Sequence, residues 1–154
     1  MVITLIGLAL LAAVFALAMW KGDVAARLGA AAYAGAWLLT IGVELYTNSI
    51  PFALILSLDT FVATAFLVLA IRYNSLWLGA GMMLQGVQLG MHAMYFTSTP
   101  DTTFMGFNLF ALVLNLISLV ILITIAGAVG GTLYKRARHR RLQERRAPTG
   151  GFPA

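Results

Sequence analysis

Residues 51–77 read PFALILSLDTFVATAFLVLAIRYNSLW. Apolar side chains dominate from Phe52 to Ile71, and one carboxylate, Asp59, interrupts them. That length matches the roughly 20 residues a helix needs to cross a bilayer. Pro51 suits the first turn of a helix, where its missing N–H costs nothing. Arg72 follows at once, and Trp77 opens the next apolar run. An apolar run closed by a single positive charge is a membrane span with a marked side.

The same mark recurs through the chain. Lys21 and Arg27 lie between the first and second apolar runs, and Arg72 lies between the third and fourth. Lys135, Arg136, Arg138, Arg140, Arg141, Arg145 and Arg146 follow the fifth. The second-to-third and fourth-to-fifth connections carry no Lys or Arg. Such alternation is the positive-inside pattern. It predicts an all-α polytopic membrane protein with five transmembrane helices, the N-terminus outside and the C-terminus inside. The expected spans are 2–20, 28–46, 52–71, 76–96 and 103–132. They form one transmembrane domain over 1–133, followed by a basic cytoplasmic tail over 134–154 whose Pro- and Gly-containing end is flexible. A signal peptide would carry its positive charge before the apolar run; here Lys21 comes after it, so the first run reads as a retained span.

Composition agrees. Of 154 residues 61% are hydrophobic and 10% charged, against about 25% charged in soluble domains. There is no cysteine, which removes disulfides, thiolate catalysis and cysteine-held metals. The net charge of +5 resides in the tail, so it points to anionic lipid at the cytoplasmic face or to a partner subunit, and not to nucleic acid.

Polar residues within spans are costly and need partners. At about 100° per residue, Tyr33, Trp37, Thr40 and Glu44 form one stripe on span two. Gln85, Gln88 and His92 share a face of span four, and Asn108, Asn115 and Ser118 share a face of span five. Glu44, Asp59, Gln85, Gln88, His92, Asn108 and Asn115 therefore make a candidate polar cluster, most of it in the outer half of the bilayer, where no Lys or Arg is available. Asp59 is either protonated, paired with His92 and the amides, or bound to a cation, and Glu44 can reach interfacial water. An Asp–His pair can relay a proton, because histidine titrates near neutral pH. The plainer alternative is a hydrogen-bond network that only holds helices together. A lone intramembrane His does not supply the usual pair of haem ligands, and no nucleophile–base pattern is present. No enzyme activity, metal or cofactor is predicted.

Gly79, Gly86 and Gly90 line a small-residue face of span four, and Gly127 and Gly131 end span five. Such faces let helices approach closely, so these glycines are expected to pack helices within the bundle and to place span four centrally. The pattern Asp59, Arg72, Trp77, Gly81, Gln85 and His92, spread over about a quarter of the chain, resembles small polytopic inner-membrane proteins of alphaproteobacteria. That resemblance implies a bacterial inner-membrane setting and no particular chemistry. The leading functional expectation is a non-catalytic accessory or scaffold subunit of a larger inner-membrane complex. The alternative is a small proton- or cation-linked transporter or channel that uses the outward-facing polar cluster.

Overall fold

The computed structural model describes residues 2–47, 51–97 and 107–146. Among these there are five helices and no strand: α1 (Val2–Lys21), α2 (Val24–Thr47), α3 (Phe52–Tyr73), α4 (Leu76–Thr97) and α5 (Phe107–Arg146). Three of them, α2, α3 and the 109–143 stretch of α5, are long and apolar enough to cross a membrane. The chain is a helical membrane protein. Five helices stand where five spans were expected, and α4 falls outside that apolar class. Its Gln85, Gln88, His92 and glycines dilute its apolar content. The described apolar part of α1, Leu5–Lys21, is short by the same measure.

The helix ends follow local chemistry. α2 begins a turn before the expected Leu28, because Asp23 caps it: the Ala26 N–H donates to Asp23 Oδ1 at 2.8 Å. A side-chain oxygen at this position satisfies an N–H group that has no partner in the helix. α3 closes at Asn74, the one described non-glycine residue with positive φ (46°). Asparagine tolerates this left-handed conformation better than most residues. The Ser75 N–H then returns to the Ala70 carbonyl at 3.1 Å, and α4 starts one residue later. α5 runs unbroken from Phe107 through the expected tail boundary to Arg146, about 60 Å at 1.5 Å per residue. Every side chain from Leu133 to Gln143 on it is exposed. Lys135, Arg136, Arg138, Arg140 and Arg141 thus extend into solvent on a helix. The side chains of Arg145 and Arg146, and the expected start of span five at Thr103, lie outside the described residues.

The helices form a ring in chain order. α1 packs on α2, α2 on α3, α3 on α4 and α4 on α5, and α5 closes the ring on α1 while also touching α2. α4 therefore sits in the ring between α3 and α5, not at the centre where its two small and polar faces had placed it. The two ends differ. The α1–α2 turn, the α3–α4 turn and Lys135 of α5 line one common depression, so Lys21, Arg27, Arg72 and the tail gather at one end. We call this the basic end. At the opposite, acidic end Tyr95 stacks on Phe110 (4.1 Å between centroids) and Phe52 meets Phe96 (4.2 Å), tying α3, α4 and α5 together.

Packing also differs along the bundle. Near the basic end α2 buries Ala25, Ala26, Gly29, Ala30 and Ala34. Their small side chains let α1 and α5 approach closely, around Ala18, Ile121, Ile125 and Val129. A Cβ on Gly29 would stand 3.0 Å from the Trp77 ring, and one on Gly81 would stand 2.9 Å from the Phe66 ring. At Gly79, Gly86, Gly90, Gly127 and Gly131 nothing lies within 4 Å of such an atom. These five glycines do not mediate close packing inside the bundle, contrary to expectation. α4 turns Leu78, Gly81, Gln85 and His92 inward instead, so its polar stripe is the packed face and its Gly86–Gly90 face is exposed. Large apolar side chains such as Leu38, Leu39, Phe61, Ile71, Leu112 and Ile123 point outward, as a lipid-facing surface requires.

Candidate functional site

Toward the acidic end the small residues of α2 give way to Trp37, Thr40, Ile41 and Glu44, and the helices part around a cavity of about 330 Å³. α2, α3, α4 and α5 all line it. α3 supplies Asp59, two turns into the helix and about 10 Å from its start. α4, running the opposite way, presents Gln85 and His92 on one face, since residues seven apart return to nearly the same helix face, and both side chains reach Asp59.

Asp59 is the hub. Gln85 Nε2 donates to Asp59 Oδ1 at 2.8 Å. His92 Nδ1 lies 2.8 Å from Asp59 Oδ2. Asp59, Gln85 and His92 are 8%, 1% and 7% exposed, the three buried polar or charged residues among those described. The Asp59–His92 contact needs one proton between its two atoms. With Asp59 ionised, His92 Nδ1 donates; with Asp59 protonated, its hydroxyl donates to Nδ1. The second of these arrangements carries one proton more than the first, at Nε2, and differs from carboxylate plus imidazolium only in where the shared proton sits. Among the described residues no Lys or Arg lines the cavity. The His92 ring is also held edge-on against Phe110 at 5.6 Å.

Around this hub the cavity presents unmet polar atoms. Gln85 Oε1 and Gln88 Oε1 are buried without a hydrogen-bond partner, and the buried Tyr33 Oη stands beside Ser118 and Trp37 without a hydrogen bond of good geometry. The Gln85 amide cannot turn to hide its oxygen, because its nitrogen is committed to Asp59. Leaving an acceptor unmet costs about 1–3 kcal/mol, which makes two such amide oxygens in one cavity wall a feature to be explained.

Of the residues proposed from sequence, Glu44, Asp59, Gln85, Gln88, His92 and Asn115 all line this cavity. They do not all join one network. Glu44 is exposed at the rim. Asn115 Nδ2 donates to the Ala111 carbonyl of its own helix at 2.9 Å, and Thr40 Oγ1 does the same to Ala36 at 3.0 Å. The side chain of Asn108 lies outside the described residues. The aromatic wall, Tyr33 and Trp37, belongs to the same α2 stripe as Glu44, and this periodicity was the signal for it. The apolar wall, Ile55, Leu58, Val62 and Leu114, carried no signal apart from the rest of the spans. Among the described residues no group of three His, Asp or Glu side chains is arranged to hold a metal ion.

The fold and site thus define a helical membrane protein with a carboxylate–imidazole–amide cluster buried between four helices. No protein family matches the chain, and no curated protein or solved structure matches it.

Proposed function

We propose that this protein is a small proton- or cation-linked transporter or channel, whose working site is the Asp59–His92 pair in the cavity between α2, α3, α4 and α5. The observation that carries the reading is the pair itself: a buried carboxylate bonded to an imidazole, facing a cavity without a positive side chain. A network serving only to hold helices would leave fewer buried polar atoms unmet. In this reading all five helices span the membrane, with the N-terminus outside and the C-terminus inside. The cavity then faces outward, and the setting is a bacterial inner membrane with anionic lipid beneath the tail.

The test is flux. Purified protein in liposomes is expected to dissipate an imposed proton or monovalent-cation gradient, and Asp59→Asn is expected to stop it. Absence of flux from the wild-type protein under either gradient would overturn the reading. Orientation is tested separately. The chain has no cysteine, so Thr47→Cys and Ser75→Cys each introduce a single thiol. A membrane-impermeant maleimide is expected to label residue 47 in intact cells and residue 75 only after permeabilisation; the reverse pattern would invert the topology.

A second reading rests on α5. Its last turns carry Lys135, Arg136, Arg138, Arg140 and Arg141, all exposed. A basic helix of this kind suits an acidic surface on another subunit as well as anionic lipid. It supports a non-catalytic accessory or scaffold subunit of a larger membrane complex, which would be recovered in mild detergent with other proteins in fixed ratio.

A further inference from the structure

We propose that the cavity binds a small primary organic ammonium ion, with its N–H groups on Asp59 and the orphaned oxygens of Gln85 and Gln88, and its apolar body against Trp37. The inference rests on the preceding reading of the cavity as a cation site and names the kind of cation.

Charge selects the sign. The lining holds the carboxylates Asp59 and Glu44 and no Lys or Arg. A buried anion would find no countercharge, and an unpaired charge taken from water is prohibitively costly.

Hydrogen-bond inventory selects the head group. Gln85, 1% exposed, has its Oε1 unmet, as does Gln88. Both atoms are acceptors, and only a ligand that donates can satisfy them. With Asp59 ionised, each of its oxygens accepts one bond, from Gln85 and from His92, and retains a further lone pair. A primary ammonium offers three N–H donors, matching one carboxylate and two amide oxygens.

Volume and lining select the body. A bare metal ion needs neither 330 Å³, room for about ten waters, nor an apolar wall. Ile41, Ile55, Leu58, Val62 and Leu114 line the same space. Trp37 gives an aromatic surface that attracts cations when they approach its face. The volume sits at the lower end of small-ligand pockets, which fits an amine with a short alkyl or single-ring body.

The experiment is calorimetric titration of the full chain in nanodiscs, with empty nanodiscs subtracted for partitioning. The probes are phenethylamine, its N,N,N-trimethyl derivative and 3-phenylpropionate. Phenethylamine is expected to bind about tenfold or more tightly than the trimethyl derivative, which cannot donate to Gln85 and Gln88, and the carboxylate is expected not to bind. Gln88→Leu is expected to weaken phenethylamine by about tenfold while unfolding at the wild-type temperature, and Val87→Ala, on the exposed face of α4, is expected to leave it unchanged. Equal affinity for the primary and quaternary amines, or no binding of either, overturns the inference. Ion flux without amine binding removes this inference and leaves the transport reading standing. Amine binding without ion flux does the reverse.

Discussion

Asp59→Asn is expected to abolish ion-linked flux, to below about a hundredth of the wild-type rate, with little loss of stability. That rate loss corresponds to about 2.7 kcal/mol in the barrier. The asymmetry follows from the geometry. Asparagine keeps an oxygen where Asp59 Oδ1 accepts from Gln85. Its amide nitrogen takes the place of Oδ2 and can donate to His92 Nδ1 once the imidazole adopts its other neutral tautomer. Both bonds between α3 and α4 survive. What disappears is the negative charge and the second protonation state of the pair. Interhelical polar contacts in membranes average about 0.6 kcal/mol, so the change in unfolding free energy is expected to stay within about 1 kcal/mol. Asp59→Leu behaves differently, because it strands Gln85 Nε2 and the His92 ring in the interior at about 1–3 kcal/mol each. Flux into dye-loaded liposomes and thermal unfolding in detergent, measured on both variants, separate the two roles. Destabilisation by Asp59→Asn with flux retained would return the cluster to a purely structural role.

Gly81→Val is expected to destabilise the bundle by about 3 kcal/mol or more, at the upper end of the usual cost of overpacking. A Cβ at residue 81 would already lie 2.9 Å from two atoms of the Phe66 ring. Phe66 is fully buried, so the ring cannot swing into open space, and α3 and α4 must separate. Their separation would also pull Asp59 from Gln85, one turn along the same face of α4. The smaller change Gly81→Ala sets this clash against a helix-propensity gain of about 1 kcal/mol and is expected to remain unfavourable. Gly86→Ala and Gly90→Ala receive the same gain with nothing within 4 Å, so they are expected to be neutral or stabilising. Thermal unfolding of these variants, side by side, checks the sign of each. Equal losses at residues 81, 86 and 90 would contradict the assignment of the packed face.

The contrast between those glycines shows what was legible in the sequence. Helix number and the gathering of basic residues at one end followed from the placement of Lys21, Arg27, Arg72 and the tail, because charge is excluded from the hydrocarbon whatever the packing. The stripe of Tyr33, Trp37, Thr40 and Glu44 was legible because helical periodicity is local. Which face of α4 turns inward was not. Periodicity assigns residues to faces but does not say which face meets a neighbour. Both the Gly79–Gly86–Gly90 face and the polar face were expected to pack, whereas only the polar stripe, through Gly81, Gln85 and His92, is buried. In a membrane the penalty for exposing Gln85 and His92 to lipid outweighs the benefit of close backbone approach, and polarity is the better guide. The early start of α2 at Val24 follows from the Asp23 cap, which hydropathy alone does not show.

The pairing of Asp59 with His92 was open in the sequence as one of three fates for a buried carboxylate. Spacing along α3 and α4 put both near one depth, but rotation of one helix about its axis by a third of a turn would have parted them. That rotation is fixed by contacts remote from the site, among them Gly81 against Phe66 and Trp77 against Gly29. The cavity is likewise a property of four helices at once. It opens where the Ala- and Gly-rich half of α2 gives way to larger side chains.

Nitrogen-15 NMR of the His92 ring in lipid bilayers observes directly the proton that Asp59 and His92 are proposed to share. The expected result is an Nδ1 signal shifted by a strong hydrogen bond to a carboxylate, and loss of that shift in Asp59→Asn. An Nδ1 resonance that is the same in the wild-type protein and in Asp59→Asn, at every pH, would contradict it.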